Sequence, residues 1–166
     1  MRNDSDARKR SFFEKYPDCP VSEPISCLDL VMRRENAEAI LRGDKRAVYR
    51  TYSQRNCDKL YDWNVLEYGE KVAEEDKQDY LEFAKPLRVV EKIHFHPEYD
   101  SWWLDVECRN NFIARPCRED VRFIEEEYGN VELKDLQLEL GDRVEPCELP
   151  LYFFFALGQV LDSKHL

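Results

Sequence analysis

The chain has 166 residues, of which 43% are hydrophobic and 13% aromatic, and its formal net charge is −10. This length favours one domain with a sizeable core, and this composition excludes wholesale disorder. The acidic balance argues against a broad basic face, so we do not expect nonspecific binding of duplex DNA or of a membrane surface.

The N-terminal segment, residues 1–24, is predicted to be a solvated tail followed by a tether, and residues 25–166 are predicted to form a single domain. Phe12, Phe13 and Tyr16 are the side chains expected to hold the tether in place. The segment has no apolar stretch of the kind that marks a secretory signal, and no apolar run reaches the roughly 18 residues of a membrane span. We therefore expect a cytoplasmic protein with no membrane partner.

Six cysteines raise the question of disulfides or a metal site, but no two of them are closer than eight residues. The chain therefore has no C-x-x-C clamp for zinc or redox chemistry, and its size makes disulfides unnecessary for stability. Free, mostly buried thiols are predicted, with no cofactor and no metal. Cys108, at a predicted strand end, is the thiol whose exposure we single out. The others are Cys19, Cys27, Cys57, Cys117 and Cys147.

Residues 28–52 contain the clearest succession of elements. An apolar, strand-like run over residues 28–32 leads into a short helix whose apolar positions lie three and four apart. Gly43 is predicted to end this helix in the left-handed conformation. A β-prone run over residues 47–52 follows directly. The apolar helix positions are Ala37, Ile40 and Leu41.

Positive charge is concentrated around this turn. Residues 33–59 contain eight cations and four acids, a net charge of +4, which leaves −14 for the rest of the chain. A local reversal of sign indicates a site for an anion, a phosphate or a nucleic acid. The alternative is that the excess only offsets the acidic surface around it. The cations are Arg33, Arg34, Arg42, Lys45, Arg46, Arg50, Arg55 and Lys59.

The order strand, helix, G-x-K-x-x-x-x-R and strand, with Gly43, Lys45 and Arg50 at the motif positions, resembles the ASCH domain family of the PUA-like superfamily. The resemblance covers residues 25–161 and implies an α+β fold, a small and mostly antiparallel PUA-like β-barrel with peripheral helices. Relatives often carry Thr or an acid two residues before the Arg, where this chain has Val48. That departure counts against an activity that requires the replaced side chain.

The stretch after the basic strand is aromatic and then acidic. Residues 56–68 are predicted to be irregular, and residues 70–83 are predicted to form a surface helix. The simplest interpretation of its acids is a solvated helix face, and the alternative is a contact with a protein partner. The acids are Glu70, Glu74, Glu75, Asp76, Asp79 and Glu82.

Residues 87–108 are predicted to form a β-hairpin, which Pro86 opens and whose turn lies at residues 96–101. Alternation in the return strand places Trp103, Asp105 and Glu107 on one face. The other face is the predicted core face and carries Trp102, Leu104, Val106 and Cys108.

His94 and His96 lie two apart on the first hairpin strand, so their rings share a face. They would supply two ligands of a metal corner, with Glu98 or Cys108 as a third. Because the spacing suggests no fourth ligand, we prefer a structural or solvent-facing pair and predict no metal site.

The C-terminal part is predicted to contain two helices and a strand. The helices cover residues 118–128 and 132–140 and are ended by Gly129 and Gly141. The strand over residues 149–161 is almost continuously hydrophobic, which indicates burial on both faces.

The function that the resemblance implies is recognition of RNA or a nucleotide-like ligand in a basic cleft. In this hypothesis Lys45 and Arg50 hold phosphate or carbonyl oxygens, Gly43 lets the backbone approach the ligand, and an aromatic side chain stacks on the base. The predicted ligand-binding residues are Gly43, Lys45, Arg46, Arg50, Tyr52 and Trp63.

Two alternatives remain open. Some ASCH relatives are small amidohydrolases that act on acetylated cytidine nucleosides through Lys/acid chemistry. An enzyme of that kind would use Lys45 with Glu107 or Asp105 here, and whether the protein is an enzyme stays open. The third hypothesis is a protein-interaction module that uses the acidic face of residues 70–82.

Overall fold

The computed structural model describes residues 2–130, 132–140 and 149–166. Its contacts divide the chain into two units. The helical unit comprises the N-terminal segment up to Pro24 together with Gln54–Val89, and the sheet unit comprises Ile25–Ser53 together with Val90–Leu166. Residues 54–89 thus group with the N-terminal segment, and residue 24, the predicted end of the tether, is a boundary between units.

The described residues contain seven α-helices and five strands. The helices are α1 (Arg2–Lys15), α2 (Arg34–Arg42), α3 (Gln54–Leu60), α4 (Trp63–Tyr68), α5 (Lys77–Phe83), α6 (Arg118–Tyr128) and α7 (Glu132–Leu140). The strands are β1 (Leu28–Val31), β2 (Ala47–Thr51), β3 (Lys92–His96), β4 (Trp103–Ala114) and β5 (Tyr152–Lys164). Among these helices, none is long and apolar enough to cross a lipid bilayer.

The five strands form one sheet in the order β1-β3-β4-β5-β2. The β1–β3 pair is parallel, and the other three neighbouring pairs are antiparallel. The sheet is curled into a half-barrel whose edge strands are β1 and β2. The α+β class is therefore confirmed. In the described residues the sheet is a half-barrel and not a closed barrel, because its two edge strands are not paired with each other.

The predicted hairpin is present as the antiparallel β3–β4 pair, and its core face is confirmed. Trp102, Leu104, Val106 and Cys108 are all buried. β4 extends beyond the predicted end at residue 108 as far as Ala114. Register shifts against β5 between Asp105 and Asn110 interrupt the alternation there, which is why the sequence pattern did not indicate the full length of the strand.

β5 is buried on both faces over Phe153–Leu157, as its hydrophobic run predicted. Phe154 packs in a cluster with Val121 and Ile124 of α6 and with Leu133 of α7, so these two helices cover one face of the strand. α6 has the predicted bounds and ends at Gly129, which is left-handed with φ 64°. α7 also has the predicted bounds, but its predicted stop, Gly141, lies outside the described residues.

The N-terminal segment corrects the sequence prediction, because residues 2–15 form α1 where a solvated tail was expected. Phe12 is buried in a cluster with residues of α4 and α5, and Phe13 and Tyr16 pack against it, so these side chains hold α1 within the helical unit. Arg8 donates hydrogen bonds to Asp79 and Glu82 at 3.0 and 3.1 Å. The helix therefore covers part of the predicted acidic face.

Residues 56–68 are helical except at Tyr61 and Asp62, which separate α3 from α4, against the expectation of an irregular segment. The Asp62 carboxylate caps α4 by accepting from the backbone N–H groups of Asn64 and Val65. Leu60 and Val65 are buried.

The predicted helix over residues 70–83 begins only at Lys77, after two 3-10 turns at Gly69–Lys71 and Glu74–Asp76. Between the turns Val72 and Ala73 are extended. This conformation buries Val72, and the Ala73 N–H donates to the Tyr16 hydroxyl at 3.0 Å instead of to a helix carbonyl. Tertiary packing thus overrides the local helix pattern.

The five cysteines in the described residues are free, as predicted. Cys19, Cys57 and Cys108 are buried, whereas Cys27 is exposed and Cys117 is half-buried. The sixth, Cys147, lies outside the described residues.

Candidate functional site

The turn after α2 positions the centre of the candidate site. Gly43 has φ 85° and ψ 6°, the left-handed conformation that the sequence predicted for it. Its N–H donates to Ile40, and the N–H groups of Asp44 and Lys45 both donate to the Ala39 carbonyl. The helix therefore ends in a fixed geometry that delivers Lys45 to the start of β2.

Lys45 binds an acid that the sequence did not indicate. Its side chain is only 16% exposed, and its ammonium group donates to the Glu132 carboxylate at the start of α7. The two residues are 87 positions apart, so no local pattern connects them. In the described chain, the expected partners Asp105 and Glu107 form no ion pair with Lys45.

Asp105 is engaged elsewhere on the sheet. Its carboxylate lies 2.5 Å from Nδ1 of His94 and 3.9 Å from Nζ of Lys92. His96 shares the face of His94, with ring centroids 5.8 Å apart, as predicted. Within the described ranges no group of three potential metal ligands exists.

The side chain of Arg50 is bonded to backbone carbonyls. Its guanidinium donates to the backbone carbonyls of Tyr49 and Val31, both at 2.8 Å. No carboxylate in the described part of the chain pairs with it, and burial lowers the pKa of its guanidinium. A half-buried positive charge therefore has carbonyl dipoles but no counter-ion among the described residues, which is an arrangement that favours an anion.

A cavity of about 350 Å³ lies beside Arg50, and we call it the Arg50 cavity. Its charged lining consists of Arg33, Lys45, Arg50 and Glu132, and Val48 and Tyr49 contribute to its wall. The Tyr49 hydroxyl donates to Oδ1 of Asn130 at 3.0 Å. Burial, with the Glu132 charge as a smaller cause, raises the pKa of Tyr49, so its hydroxyl keeps its proton even at alkaline pH.

A second cavity, of about 430 Å³, also has Lys45 in its wall, and we call it the Arg46 cavity. Its lining includes Gly43, Lys45, Arg46, Glu107, Arg109 and Gly158. Arg109 and Gly158 were not among the predicted site residues. The signal for Gly158 was a glycine inside an otherwise apolar strand, which often marks a close approach of another group.

The two predicted stacking aromatics line neither cavity. Tyr52 is 39% exposed and stacks on Phe153, with ring centroids 5.0 Å apart and an interplanar angle of 23°. Trp63 belongs to the helical unit, where its indole N–H donates to Asp58 at 3.1 Å. The structure thus brings Gly43, Lys45, Arg46 and Arg50 together around the cavities, without an aromatic platform from these two residues.

Comparison of the chain with protein-family models, with curated proteins and with solved structures finds no match. The chemistry open to the site therefore comes from its own groups. The cations of the Arg50 cavity can bind anionic or carbonyl oxygens, and the Glu132 carboxylate can accept hydrogen bonds.

Proposed function

We propose that the sheet unit binds RNA or a nucleotide-like ligand in the Arg50 cavity. The observation that carries the proposal is the Arg50 guanidinium, which is half-buried and has two carbonyl acceptors but no carboxylate partner in the described chain. A ligand phosphate or carbonyl oxygen would supply the missing counter-charge.

The size and charge of the cavity suit a small ligand segment. Its volume of about 350 Å³ falls in the range of small-molecule pockets and is adequate for one nucleoside unit. Among the described lining residues, Arg33, Lys45 and Arg50 stand against a single acid, Glu132, so this part of the lining is net positive in a chain of net charge −10. Positive potential confined to a cavity favours one or a few nucleotides over a long duplex.

The resemblance of the G-x-K-x-x-x-x-R segment to ASCH domains agrees with this proposal. Gly43, Lys45 and Arg50 line one or both cavities, in the element order that the resemblance implies. The curled, mostly antiparallel half-barrel is also compatible with a PUA-like module.

A second candidate function, an amidohydrolase acting on a modified nucleoside, is favoured by the Lys45–Glu132 contact in the wall of the Arg50 cavity. This pair would replace the pairing of Lys45 with Asp105 or Glu107 that the sequence suggested. Glu132 would accept a proton from an attacking water, and Lys45 would stabilise the developing negative charge on the carbonyl oxygen. Val48, where relatives often carry Thr or an acid, favours binding over catalysis.

The test of binding compares the wild type with Arg50→Gln, Arg33→Gln and Arg42→Gln at two salt concentrations, using short RNA oligomers and a panel of modified nucleosides. We expect Arg50→Gln to weaken binding by about tenfold or more and Arg33→Gln to weaken it less. Arg42 is the matched control, because it is exposed and paired with Asp44. Arg33→Gln also guards against a folding defect, since the Arg33 side chain makes no hydrogen bond or ion pair in the described residues.

Equal affinity of all four proteins, or no binding of any ligand, would overturn the proposal. Hydrolysis of an acetylated cytidine nucleoside by the wild type that is lost in Lys45→Ala and in Glu132→Gln, with ligand binding retained, would establish the enzyme instead. Binding without turnover would leave the sheet unit as a recognition module.

A further inference from the structure

Building on the proposed function, we propose that the Arg46 cavity binds a phosphate group, so that the ligand of the sheet unit is a phosphorylated nucleotide and not a free nucleoside. Two cations of this cavity, Arg46 and Arg109, have no assigned role in the Arg50 cavity. They come from different parts of the chain, beside the α2 turn and on β4, and converge on the same concave surface.

Neither of these arginines is neutralised. In the described part of the chain, the Arg46 and Arg109 side chains form no ion pair with a carboxylate. Three other exposed arginines of the sheet unit are paired locally: Arg34 with Glu38, Arg42 with Asp44, and Arg122 with Glu126. The cavity therefore collects two guanidinium groups whose charges are available to a ligand.

The backbone near these residues is held in place. The N–H of Leu157 donates to the Arg46 carbonyl at 2.9 Å, which anchors the residue that precedes β2 to β5. Gly158 follows at once on β5, and its missing side chain makes room for Arg109. A Cβ at position 158 would lie 2.8 Å from Cγ of Arg109 and 2.3 Å from Oε1 of Glu107.

Among the described residues that line the cavity, Glu107 is the one acid. Its carboxylate lies against Gly158, and it makes no ion pair with Arg46 or Arg109 in the described chain. Lys45 is already bonded to Glu132. Among the described residues that line the Arg46 cavity, two arginines without an ion pair therefore remain for one carboxylate. A bound phosphate is the simplest group that would neutralise the remaining positive charge of the two arginines.

Lys45 lines both cavities, so the two cavities are adjacent. A ligand with its nucleoside part at Arg50 and a phosphate at Arg46 and Arg109 would pass Lys45 between them. The phosphate has two sources: the terminal phosphate of a mononucleotide, or the phosphodiester of an RNA strand. Both have the same chemistry at the two arginines, and they differ in what continues beyond the phosphate.

The experiment compares the wild type with the double variant Arg46→Gln/Arg109→Gln and with the control Arg42→Gln/Arg122→Gln, which removes the same charge at sites where each arginine has a local partner. The ligands are a nucleoside, its monophosphate, its diphosphate and a dinucleotide. We expect the double variant to raise the Kd of phosphorylated ligands by about tenfold and to leave nucleoside affinity unchanged. A larger loss for the dinucleotide than for the diphosphate identifies RNA as the source of the phosphate, and the reverse identifies a free nucleotide.

Inorganic pyrophosphate tests the phosphate site without any nucleoside. Pyrophosphate binding that is weakened in Arg46→Gln/Arg109→Gln but not in the control supports the site, even if nucleosides fail to bind and the proposed function falls. Nucleotide binding that depends on Arg50 but is equal in the double variant and the control overturns this inference and leaves the proposed function intact. Failure of the wild type to bind pyrophosphate and every phosphorylated ligand also overturns it.

Discussion

The guanidinium of Arg50 on β2 donates to the carbonyl of Val31 at the end of β1, at 2.8 Å. These two strands are the edges of the half-barrel and have no backbone pairing with each other in the described residues. One side chain thus connects the two edges of the sheet and at the same time lines the candidate site. The stability of the sheet unit and the proposed ligand binding would therefore both depend on this residue.

Replacing Arg50 should destabilise the protein even without ligand. Arg50→Gln is expected to lower the free energy of unfolding by about 1–3 kcal/mol, because the carbonyls of Val31 and Tyr49 lose a charged donor. Arg50→Lys should recover part of the loss, since one ammonium group replaces a two-pronged donor. Urea unfolding measures both, and Arg42→Gln, an exposed paired arginine, should change stability by less than about 1 kcal/mol. Unchanged stability in Arg50→Gln would mean that the residue serves the ligand alone.

A side chain at position 43 should fit without a steric clash, but it should strain the backbone of the turn. A Cβ at this position meets no atom within 4 Å, yet φ is +85°. Gly43→Ala should therefore cost about 1–2 kcal/mol from backbone strain alone, and Gly43→Asn should cost less because Asn accepts the left-handed region more readily. Thermal unfolding of the two variants gives the ranking. Alanine equal to or better than asparagine would contradict a left-handed Gly43.

The close contact of Gly69 with Tyr80 can be tested by adding a methyl group at position 69. A Cβ on Gly69 would lie 2.7 Å from the Tyr80 hydroxyl oxygen and 2.9 Å from its ring. Tyr80 is buried, and its hydroxyl donates to the Val65 carbonyl at 2.6 Å, so it cannot move aside freely. We expect Gly69→Ala to destabilise the protein by about 1–3 kcal/mol.

A double-mutant cycle provides the control for this prediction. In a Tyr80→Phe background the closest atom is absent, so Gly69→Ala should cost less than in the wild type. Equal costs in the two backgrounds would show that the strain does not come from the hydroxyl of Tyr80. Urea unfolding of the four proteins completes the cycle.

The buried thiol of Cys108 should contribute to alkaline instability. Burial raises its pKa from an ordinary 9.0 to about 11. Below pH 9 the thiol is neutral in both the folded and the unfolded chain, so its contribution to stability is fully present. As the pH rises from 9 towards 11, the unfolded chain loses this proton first, and stability falls by up to about 3 kcal/mol. The measurement is the free energy of unfolding between pH 8 and pH 11.

Cys108→Ala should have a flatter pH dependence over that range than the wild type, whatever its stability at neutral pH. Cys117→Ala, at a half-buried position, is the matched control and should follow the wild-type slope. Parallel curves for wild type and Cys108→Ala would show that the Cys108 thiol ionises equally in the folded and unfolded chains.

The elements that the sequence predicted well are those whose signals are local. Gly43 and Gly129 end α2 and α6 where a left-handed glycine was expected, and alternation assigned the buried face of the β3–β4 hairpin. Lys45 and Arg50 lie near one another in sequence, just before β2 and on it, and both line the Arg50 cavity.

The elements that the sequence did not predict depend on distant contacts. Glu132 reaches Lys45 across 87 positions, and Arg109 reaches the Arg46 cavity through the irregular register of β4 against β5. The many charged residues of α1 favour a solvated tail in a prediction from sequence. The helix is instead stabilised by tertiary contacts, namely the burial of Phe12 and the pairing of Arg8 with acids of α5.

The three consecutive phenylalanines of β5, Phe153–Phe155, have a consequence for the chain before it folds. In the native sheet β4 and β2 occupy the two sides of β5, and its side chains are buried. In the unfolded chain the same uncharged segment has the composition that promotes cross-β aggregation. Productive refolding therefore requires β5 to find β4 and β2 before it meets another molecule, so refolding yield should decline as protein concentration rises.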